Sequence, residues 1–182
     1  MRVIIVGGVA GGAPGAARIR RLDERAQITI YERTGFVSYA NCGLPYFVGG
    51  VITDRNELFL QTPESFWQRF RVDVRVRHEV IEIRPEQKTG VVRNLMAGET
   101  LEDRYDKLLL SPGAKPTRPN MSGIDNGKIF TLRTVEDTLK IHRFVREQRP
   151  KSAAVIGGGF IGVEMAENLS QLGMKVTVIE YS

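Results

Sequence analysis

Residues 1–12, MRVIIVGGVAGG, and residues 153–162, AAVIGGGFIG, decide the fold of this 182-residue chain. In each stretch a short apolar run, which favours a buried strand, leads into a glycine-rich turn. Helices are predicted after both turns, as far as about Leu22 in the first case and over residues 160–172 in the second. Second strands are predicted at residues 27–31 and 176–179. Two such βαβ units indicate an α/β fold with parallel sheets.

The second glycine turn fits the pattern G-x-G-x-x-G of dinucleotide-binding proteins. Its first glycine permits a tight turn, its second lets a pyrophosphate approach the backbone, and its third lets helix and strand pack closely. Glu180 ends the next strand, 18 residues past Gly162, where a carboxylate can hold both ribose hydroxyls. A carboxylate would repel a 2′-phosphate, so NADH is favoured, with NADPH still possible. The predicted site comprises Gly157, Gly159, Phe160, Ile161, Gly162 and Glu180.

The first glycine turn departs from the pattern at one position. Gly7 and Gly12 occupy its outer positions, but Val9 replaces the middle glycine. Its setting supports a nucleotide site, because it follows a strand, opens a helix and has Glu32 at the end of the next strand, 20 residues past Gly12. An ordinary tight turn between strand and helix is the alternative. Two dinucleotide sites in one chain favour electron transfer between FAD and NAD(P)H.

Several short elements are predicted between the two units. Residues 63–71 read as a helix, and residues 72–76, 79–83 and 90–96 as strands of a small antiparallel sheet. A buried strand at 108–110 ends at Ser111-Pro112-Gly113. Residues 116–127, rich in Pro, Asn and Gly, are the predicted linker between a first domain of residues 1–115 and a second of residues 128–182. The sequence stops a few residues after a strand, so the second domain is expected to be truncated.

The composition narrows the class of protein. The chain has 42% hydrophobic and 26% charged residues, as is usual for a soluble globular protein. No apolar run approaches the roughly 18 residues of a membrane span, and nothing marks export, so no membrane and a cytoplasmic location are expected. The formal charge is +5, but the basic residues are scattered without a stacking-aromatic motif. They favour a solvated surface or phosphate partners in an anionic cofactor or substrate over nucleic acid.

The single cysteine of the chain, Cys42, cannot form a disulfide within it. Such a cysteine is either a buried small hydrophobic residue or a reactive thiol. It lies in S38-Y-A-N-C-G-L-P-Y46, and residues 42–48 are predicted to form a short helix that begins at Cys42. A helix N-terminus favours the thiolate, which is the nucleophilic form. The setting therefore favours the reactive thiol.

These motifs together resemble a known family. The chain is similar to the single-cysteine branch of the flavin disulfide reductases, which includes coenzyme A (CoA) disulfide reductases, CoA-persulfide reductases, NADH oxidases and NADH peroxidases. The resemblance rests on GGVAGG at 7–12, YER at 31–33, SYANCGLPY at 38–46, YDKLLLSPGA at 105–114, FTLRTVED at 130–137 and VIGGGFIGVEMAENL at 155–169. It implies a glutathione-reductase-like FAD/NAD(P)-binding fold and a homodimeric full-length flavoprotein.

The resemblance also implies binding residues. FAD would be held by Gly7, Gly8, Val9, Ala10, Gly11, Gly12, Glu32, Arg33, the backbone at Val80, Ser111, Gly113 and Arg133. CoA would lie near Pro14, Arg18, Arg21, Ser38 and Asn41. Arg18 and Arg21 share one helix face, and guanidinium groups suit phosphates. The alternative is that both arginines are ordinary solvent-exposed residues.

One position separates the branches of the family. By the resemblance, oxidases and peroxidases carry a histidine just before Gly11-Gly12, where this chain has Ala10. Its two histidines, His78 and His142, lie in strand-like and helical segments and are expected to be structural surface residues. No metal site is predicted. The CoA branch is therefore favoured.

The resulting scheme passes electrons from NADH through FAD to Cys42, and from there to CoA disulfide, CoA persulfide or polysulfide. With no second cysteine, the resting sulfur is expected as a mixed disulfide with CoA, and Asn41 or nearby backbone N–H groups could stabilise the thiolate. One alternative is an NADH oxidase or peroxidase that uses a Cys42 sulfenic acid. Another, for the chain by itself, is a non-catalytic nucleotide-binding module.

Overall fold

A computed structural model describes residues 1–181, which form two compact units. The first unit comprises Met1–Tyr39 and Phe59–Ala114. The second comprises Ala40–Leu58 and the residues from Lys115 on. Each unit holds one strand–glycine turn–helix–strand arrangement.

The strands and helices follow one another as an α/β chain. The strands are β1 (Arg2–Val6), β2 (Gln27–Glu32), β3 (Asp73–Val76), β4 (His78–Arg84), β5 (Thr89–Asn94), β6 (Thr100–Arg104), β7 (Lys107–Leu110), β8 (Ser152–Ile156) and β9 (Lys175–Ile179). The helices are α1 (Gly12–Leu22), α2 (Leu44–Gly49), α3 (Pro63–Phe70), α4 (Val135–Gln148) and α5 (Phe160–Gln171). Short 3-10 turns lie at Asn41–Gly43 and Arg55–Leu58.

A parallel four-stranded sheet, in the order β3-β2-β1-β7, forms the centre of the first unit. Side chains alternate between its two faces, as the two-residue period of a strand requires. Val3 and Ile5 of β1 pack with Ala13 and Ala16 of α1 and with Phe66 of α3 on one face. The small alanines let α1 approach the sheet closely and so place the helix directly after the glycine turn.

The opposite face of this sheet is covered by the antiparallel sheet β4-β5-β6. Ile4 and Tyr31 from the parallel sheet and Val92 from the antiparallel sheet form the buried centre of this layer. Burying each such side chain stabilises the fold by about 1.5–3 kcal/mol. Both faces of β1 are therefore apolar, which explains its uninterrupted hydrophobic sequence.

The second unit is built on the parallel pair β8-β9 with three helices. Its core combines Val48 of α2, Ile141 of α4, and Met165 and Leu169 of α5. A capping box between Thr134 and Asp137 starts α4.

The α/β fold with parallel sheets and a small antiparallel insertion is confirmed. The predicted partner of one strand is wrong. Residues 72–76 were predicted to join the antiparallel sheet, but β3 pairs in parallel with β2 and extends the main sheet. The third antiparallel strand is β6, which the sequence did not predict because its residues TLEDR are mostly polar. The strand at 108–110 is also less buried than predicted, since Leu110 is exposed.

The segment that carries Cys42 packs with the second unit, through Val48. The predicted linker, residues 116–127, contains turns but no helix or strand as the structure describes it. The domain bounds drawn from the sequence stay a prediction.

Candidate nucleotide and thiol sites

The first glycine turn connects β1 to α1, and its backbone leaves no room for a side chain at two of its glycines. Gly7 has a positive φ of 89°, and a Cβ there would clash with the carbonyl oxygen of Ser111. A Cβ on Gly12 would clash with the carbonyl oxygen of Gly7. The turn is therefore closed against the start of α1. It forms a cradle that admits a ligand's phosphates to the backbone, next to the N-terminus of the helix.

The Glu32 carboxylate lies beside this cradle. Its Oε2 accepts a hydrogen bond from the Gly8 N–H at 2.8 Å, and the residue is 7% exposed. Its Oε1 accepts from the N–H and the hydroxyl of Thr34, both at 2.8 Å. Thr34 is a positioning residue that the sequence analysis missed, although its place two residues after the glutamate was a usable signal. A buried carboxylate with these partners is held in one orientation.

Two serines complete the surroundings of the first turn. A Cβ on Gly11 would lie 2.8 Å from the Ser111 hydroxyl oxygen, so Ser111 covers the turn. The Ser38 N–H donates to the Gly8 carbonyl at 2.8 Å, with Ser38 at a positive φ of 46°. The structure thus brings together the predicted residues Gly7–Gly12, Glu32, Ser111 and Ser38.

The remaining predicted FAD residues have the following surroundings. Arg33 is exposed and pairs with Glu79 at 3.6 Å. Val80 packs beside Ile4 and Tyr31 at an irregularity in the pairing of β4 and β5. Gly113 has a positive φ of 73° in the stretch after β7, and Arg133 belongs to the second unit, just before α4. Their part in FAD binding stays a prediction.

The three arginines of α1 differ in a way that the sequence does not show. Arg20 donates to five backbone carbonyl groups, those of Asp23, Glu24, Ala26, Phe70 and Arg71. Arg18 and Arg21 are exposed. Pro14 is exposed in the first turn of the same helix. Arg20 is therefore a structural residue, and Arg18 and Arg21 are accessible to an anionic ligand.

The second glycine turn repeats the first. Gly157 has a positive φ of 100° and donates its N–H to Ile179, as Gly7 does to Tyr31. A Cβ on Gly162 would clash with the Gly157 carbonyl oxygen. The Gly158 N–H donates to Glu180 Oε2, as the Gly8 N–H does to Glu32. The predicted pairing of a glycine turn with a glutamate at the end of the next strand is therefore present in both units.

The two turns differ in the residue at the middle position. Gly159 is the N-cap of α5, and a Cβ there would meet no atom within 4 Å. Phe160 and Ile161, which begin α5, are 93% and 52% exposed. In the first unit Val9 is half-buried at the corresponding place, and Ala10 is exposed.

The Cys42 side chain is exposed. It lies in the 3-10 turn Asn41–Gly43, so the prediction that the helix begins at Cys42 is wrong: α2 begins at Leu44, with Gly43 as its N-cap. A Cβ on Gly43 would lie 3.1 Å from the Leu58 side chain and 3.2 Å from that of Ile52, and Pro45, which favours the first turn of a helix, marks the start of α2. An exposed sulfur on a turn is accessible to a dissolved disulfide.

Asn41, directly before the thiol, has a buried side-chain oxygen. Its Oδ1 accepts no hydrogen bond from any residue within 1–181. A buried acceptor without a partner costs about 1–3 kcal/mol, so it is a group that a ligand N–H can satisfy.

The helix that follows the thiol is held firmly within the second unit. Phe47 packs against the His142 ring of α4, with ring centroids 4.8 Å apart. Burial and the neighbouring Arg146 guanidinium lower the pKa of His142 below its usual value of 6.5. The His78 Nδ1–H donates a hydrogen bond to the Val76 carbonyl oxygen at 2.8 Å, and the His78 ring lies near that of Tyr31. Both histidines are half-buried and make internal packing contacts, so they lie less on the surface than expected.

Neither a membrane span nor a metal cluster occurs in the described part of the chain. No helix within residues 1–181 has the length and apolar character needed to cross a membrane. Across the same residues, no three His, Cys, Asp or Glu side chains are grouped so that they could hold a metal ion.

Two strand–glycine turn–helix units, each closed by a terminal glutamate, define the class of α/β proteins with dinucleotide-binding folds. The comparison with known proteins narrows this class. The chain belongs to the pyridine nucleotide-disulphide oxidoreductase family, which matches residues 1–182.

Several known proteins are similar to this chain over all or nearly all of its length. A coenzyme A disulfide reductase of Staphylococcus haemolyticus is 44% identical over 181 residues, which are 100% of this chain and 40% of that protein. The structure of reduced Bacillus anthracis CoADR-RHD shares 52% identity with a TM-score of 0.96, covering 98% of this chain and 32% of that one. An NAD-dependent persulfide reductase from A. fulgidus shares 38% identity with a TM-score of 0.92, covering 98% and 33%. The chain thus spans about 40% of the length of its curated relatives.

Proposed function

We propose that the chain is part of an NADH-dependent FAD enzyme that reduces CoA disulfide or CoA persulfide through Cys42. The observation that carries this proposal is the exposed Cys42 thiol, set in a 3-10 turn that is anchored by a buried helix. An inert cysteine is most often buried, whereas a reactive one is accessible. The names of the relatives, coenzyme A disulfide reductase and persulfide reductase, support a sulfur substrate.

The first glycine turn fits the pyrophosphate and ribose of FAD. Its glycines leave the backbone accessible because side chains at Gly7 and Gly12 are sterically excluded. Glu32 presents a fixed carboxylate that can accept hydrogen bonds from a ribose. When bound, FAD would supply the transfer of two electrons from NADH to a sulfur.

The second glycine turn is the proposed NADH site. Gly157 and Gly162 repeat the steric pattern of the first turn, and Glu180 holds the corresponding position at the end of β9. The Glu180 carboxylate favours free ribose hydroxyls and repels a 2′-phosphate. We therefore expect NADH to be preferred to NADPH.

The chemistry at sulfur is thiol–disulfide exchange. The Cys42 thiolate attacks one sulfur of CoA disulfide, a Cys42–S–S–CoA bond forms, and the other CoA leaves as a thiolate that takes a proton. Two electrons, delivered from NADH, and a proton then cleave this mixed disulfide, which frees the second CoA thiol and restores the Cys42 thiolate. With CoA persulfide, attack at the inner sulfur gives the same mixed disulfide and releases hydrosulfide.

CoA itself matches groups of this chain. Its phosphates suit the accessible guanidinium groups of Arg18 and Arg21. Its pantetheine arm contains amide N–H groups, which suit the unsatisfied Oδ1 of Asn41 beside the thiol. Ser38, whose backbone is bonded to the first glycine turn, completes the proposed CoA contacts.

The decisive test is Cys42→Ser in the full-length enzyme. We expect the variant to retain flavin, because no FAD contact is removed, and to lose turnover of CoA disulfide. Mass spectrometry of the wild-type protein, purified without reductant, should show one CoA attached at Cys42. Wild-type turnover of CoA disulfide by the variant would refute the proposal. Oxygen or peroxide consumption in preference to CoA disulfide would instead identify an NADH oxidase or peroxidase.

Two further properties belong to this proposal. We expect the enzyme to act in the cytoplasm, where thiols are kept reduced, and to be a homodimer. Size-exclusion chromatography with light scattering of the full-length protein tests the second expectation.

A further inference from the structure

The first unit contains a cleft that the proposed reaction does not use. The cleft has a volume of about 280 Å³ and lies where the parallel strands begin, at Arg2 of β1, Gln27 of β2 and Asp73 of β3. The glycine turn leaves β1 at its other end, after Val6. The cleft is therefore separated from the predicted FAD site by the length of the sheet.

Three arginines line this cleft together with an aromatic ring. The arginines are Arg2, Arg71 and Arg75, and the aromatic residue is Trp67, which is 51% exposed. Asp73 is the carboxylate among the lining residues. The lining thus carries more positive than negative charge.

Two of the guanidinium groups are held in place by carboxylates. Arg2 donates to both oxygens of Asp103 at 2.6 and 2.7 Å. Arg75 donates to Asp73 at 2.9 Å and lies over the Tyr31 ring, 5.8 Å from its centroid. A guanidinium has five N–H donors in a fixed plane, so donors remain after each of these contacts.

The third guanidinium, that of Arg71, has an aromatic partner. It lies over the Trp67 ring, 5.5 Å from the centroid, and makes no ion pair with a carboxylate within residues 1–181. Stacking on an indole restricts a guanidinium without using its N–H groups. Arg71 therefore keeps its donors for another acceptor.

Arg20 holds two lining residues of the cleft together by hydrogen bonds to their backbone carbonyl groups. Its Nη2 donates to the carbonyl groups of Ala26 at 2.7 Å and Arg71 at 3.0 Å, both of which are lining residues. This joins the start of β2 to the end of α3. The cleft therefore has a fixed shape, which lowers the ordering cost of binding a ligand.

We infer that this cleft binds a phosphate group. Three guanidinium groups around one cleft offer more directions of hydrogen bonding than a planar carboxylate can accept, whereas a phosphate has three or more acceptor oxygens. The phosphate can come from an inorganic polyphosphate or from a nucleotide ester, whose base could stack near Trp67.

The tryptophan provides a specific readout, because Trp67 is the one tryptophan of the chain. Inorganic pyrophosphate and ADP are titrated separately into the purified protein at constant ionic strength, with Trp67 fluorescence recorded. We expect a saturable change with pyrophosphate. Tighter binding of ADP would identify a nucleotide ester as the source of the phosphate, and equal or weaker binding would identify the free polyphosphate.

Arg71→Gly separates binding from folding. Arg71 ends α3 in a left-handed conformation, with φ 50° and ψ 42°, which glycine adopts without strain. The variant should therefore keep its thermal stability while its affinity for pyrophosphate falls by about tenfold or more. Arg149→Gly is the matched control, because Arg149 ends α4 in the same conformation, with φ 43° and ψ 56°, and does not line the cleft.

Arg75→Gln is a second variant, which should also weaken binding by about tenfold. The inference is overturned if Trp67 fluorescence shows no saturable response to pyrophosphate or ADP. It is equally overturned if Arg71→Gly binds pyrophosphate as tightly as the wild type. Neither result would bear on Cys42, because the cleft and the thiol are tested by separate measurements.

Discussion

Replacing Arg20 by methionine should destabilise the first unit strongly, although Arg20 looks like any other basic residue of α1. Its guanidinium donates to five carbonyl groups, with the shortest distances of 2.6 Å to Glu24 and 2.7 Å to Phe70 and Ala26. These carbonyls lie at or just after the ends of α1 and α3 and just before β2, where backbone partners are few. Of the five, only that of Asp23 also accepts a backbone hydrogen bond in the turns of residues 1–181, from the Ala26 N–H at 3.3 Å. One side chain therefore connects three elements of the unit.

The magnitude follows from this set of contacts. Some of the carbonyls can turn to water when the guanidinium is removed, so we assign about 0.5 kcal/mol to each bond, the lower end of the usual range. The loss is then about 2–3 kcal/mol. For a chain of this size that corresponds to a fall of about 5–10 °C in Tm.

Urea unfolding measures the effect, followed by Trp67 fluorescence, which reports on the first unit alone. Arg18→Met is the matched control, since Arg18 is exposed on the same helix and should change the free energy of unfolding by less than about 0.5 kcal/mol. If Arg20→Met and Arg18→Met have the same stability, the structural role of Arg20 is refuted.

Three other predictions test the core and the two glycine turns. Burial and the hydrogen bond to Asp103 raise the pKa of Tyr31 above its ordinary value of 10.0, so the native state holds the phenol proton more tightly than the unfolded chain does. This contribution to stability is fully present below pH 10 and is lost as the pH rises further. In Tyr31→Phe the free energy of unfolding should therefore fall less steeply with pH above pH 10. The same steepness in the variant and the wild type would contradict the raised pKa of Tyr31. Gly12→Ala places a Cβ against the Gly7 carbonyl oxygen and should abolish flavin binding, so that the variant purifies without the yellow flavin colour. Gly127→Ala, whose Cβ would meet no atom within 4 Å, should purify yellow like the wild type. Glu180→Ala in the full-length enzyme should lower the ratio of kcat/KM for NADH over NADPH by about tenfold, as loss of one charged hydrogen-bonding group predicts, and an unaltered ratio would remove Glu180 from cofactor selection.

The sequence was sufficient for the elements whose pattern is local. The strands and helices around both glycine turns lie within one or two residues of their predicted bounds, because apolar runs, glycines and a first-turn proline act over a few residues. The partner of β3 was wrong because pairing depends on distant residues, and an apolar strand fits a parallel or an antiparallel neighbour equally well. The charged strand β6 carries too little hydrophobic alternation to be recognised.

The candidate sites likewise contain some contacts that the sequence predicted and others that required the structure. The link between each glycine turn and its glutamate was predictable from spacing, since both lie at the same ends of adjacent parallel strands. The exposure of Cys42 required the structure, because the burial of a side chain depends on how the chain folds around it. The different roles of Arg18 and Arg20 also required it, since carbonyl groups leave no mark in a sequence.

The hydrogen bond from each glycine turn to its glutamate spans little of the chain, 24 residues in the first unit and 22 in the second. The two residues that make this contact are therefore synthesised close together, although the first turn also packs against Ser111. A contact of such short sequence separation has a low loop-closure cost, so this part of each unit needs few distant residues in order to form. The closure tolerates either Val9 or Gly159 at the middle position, since the two turns differ there and are otherwise closed in the same way.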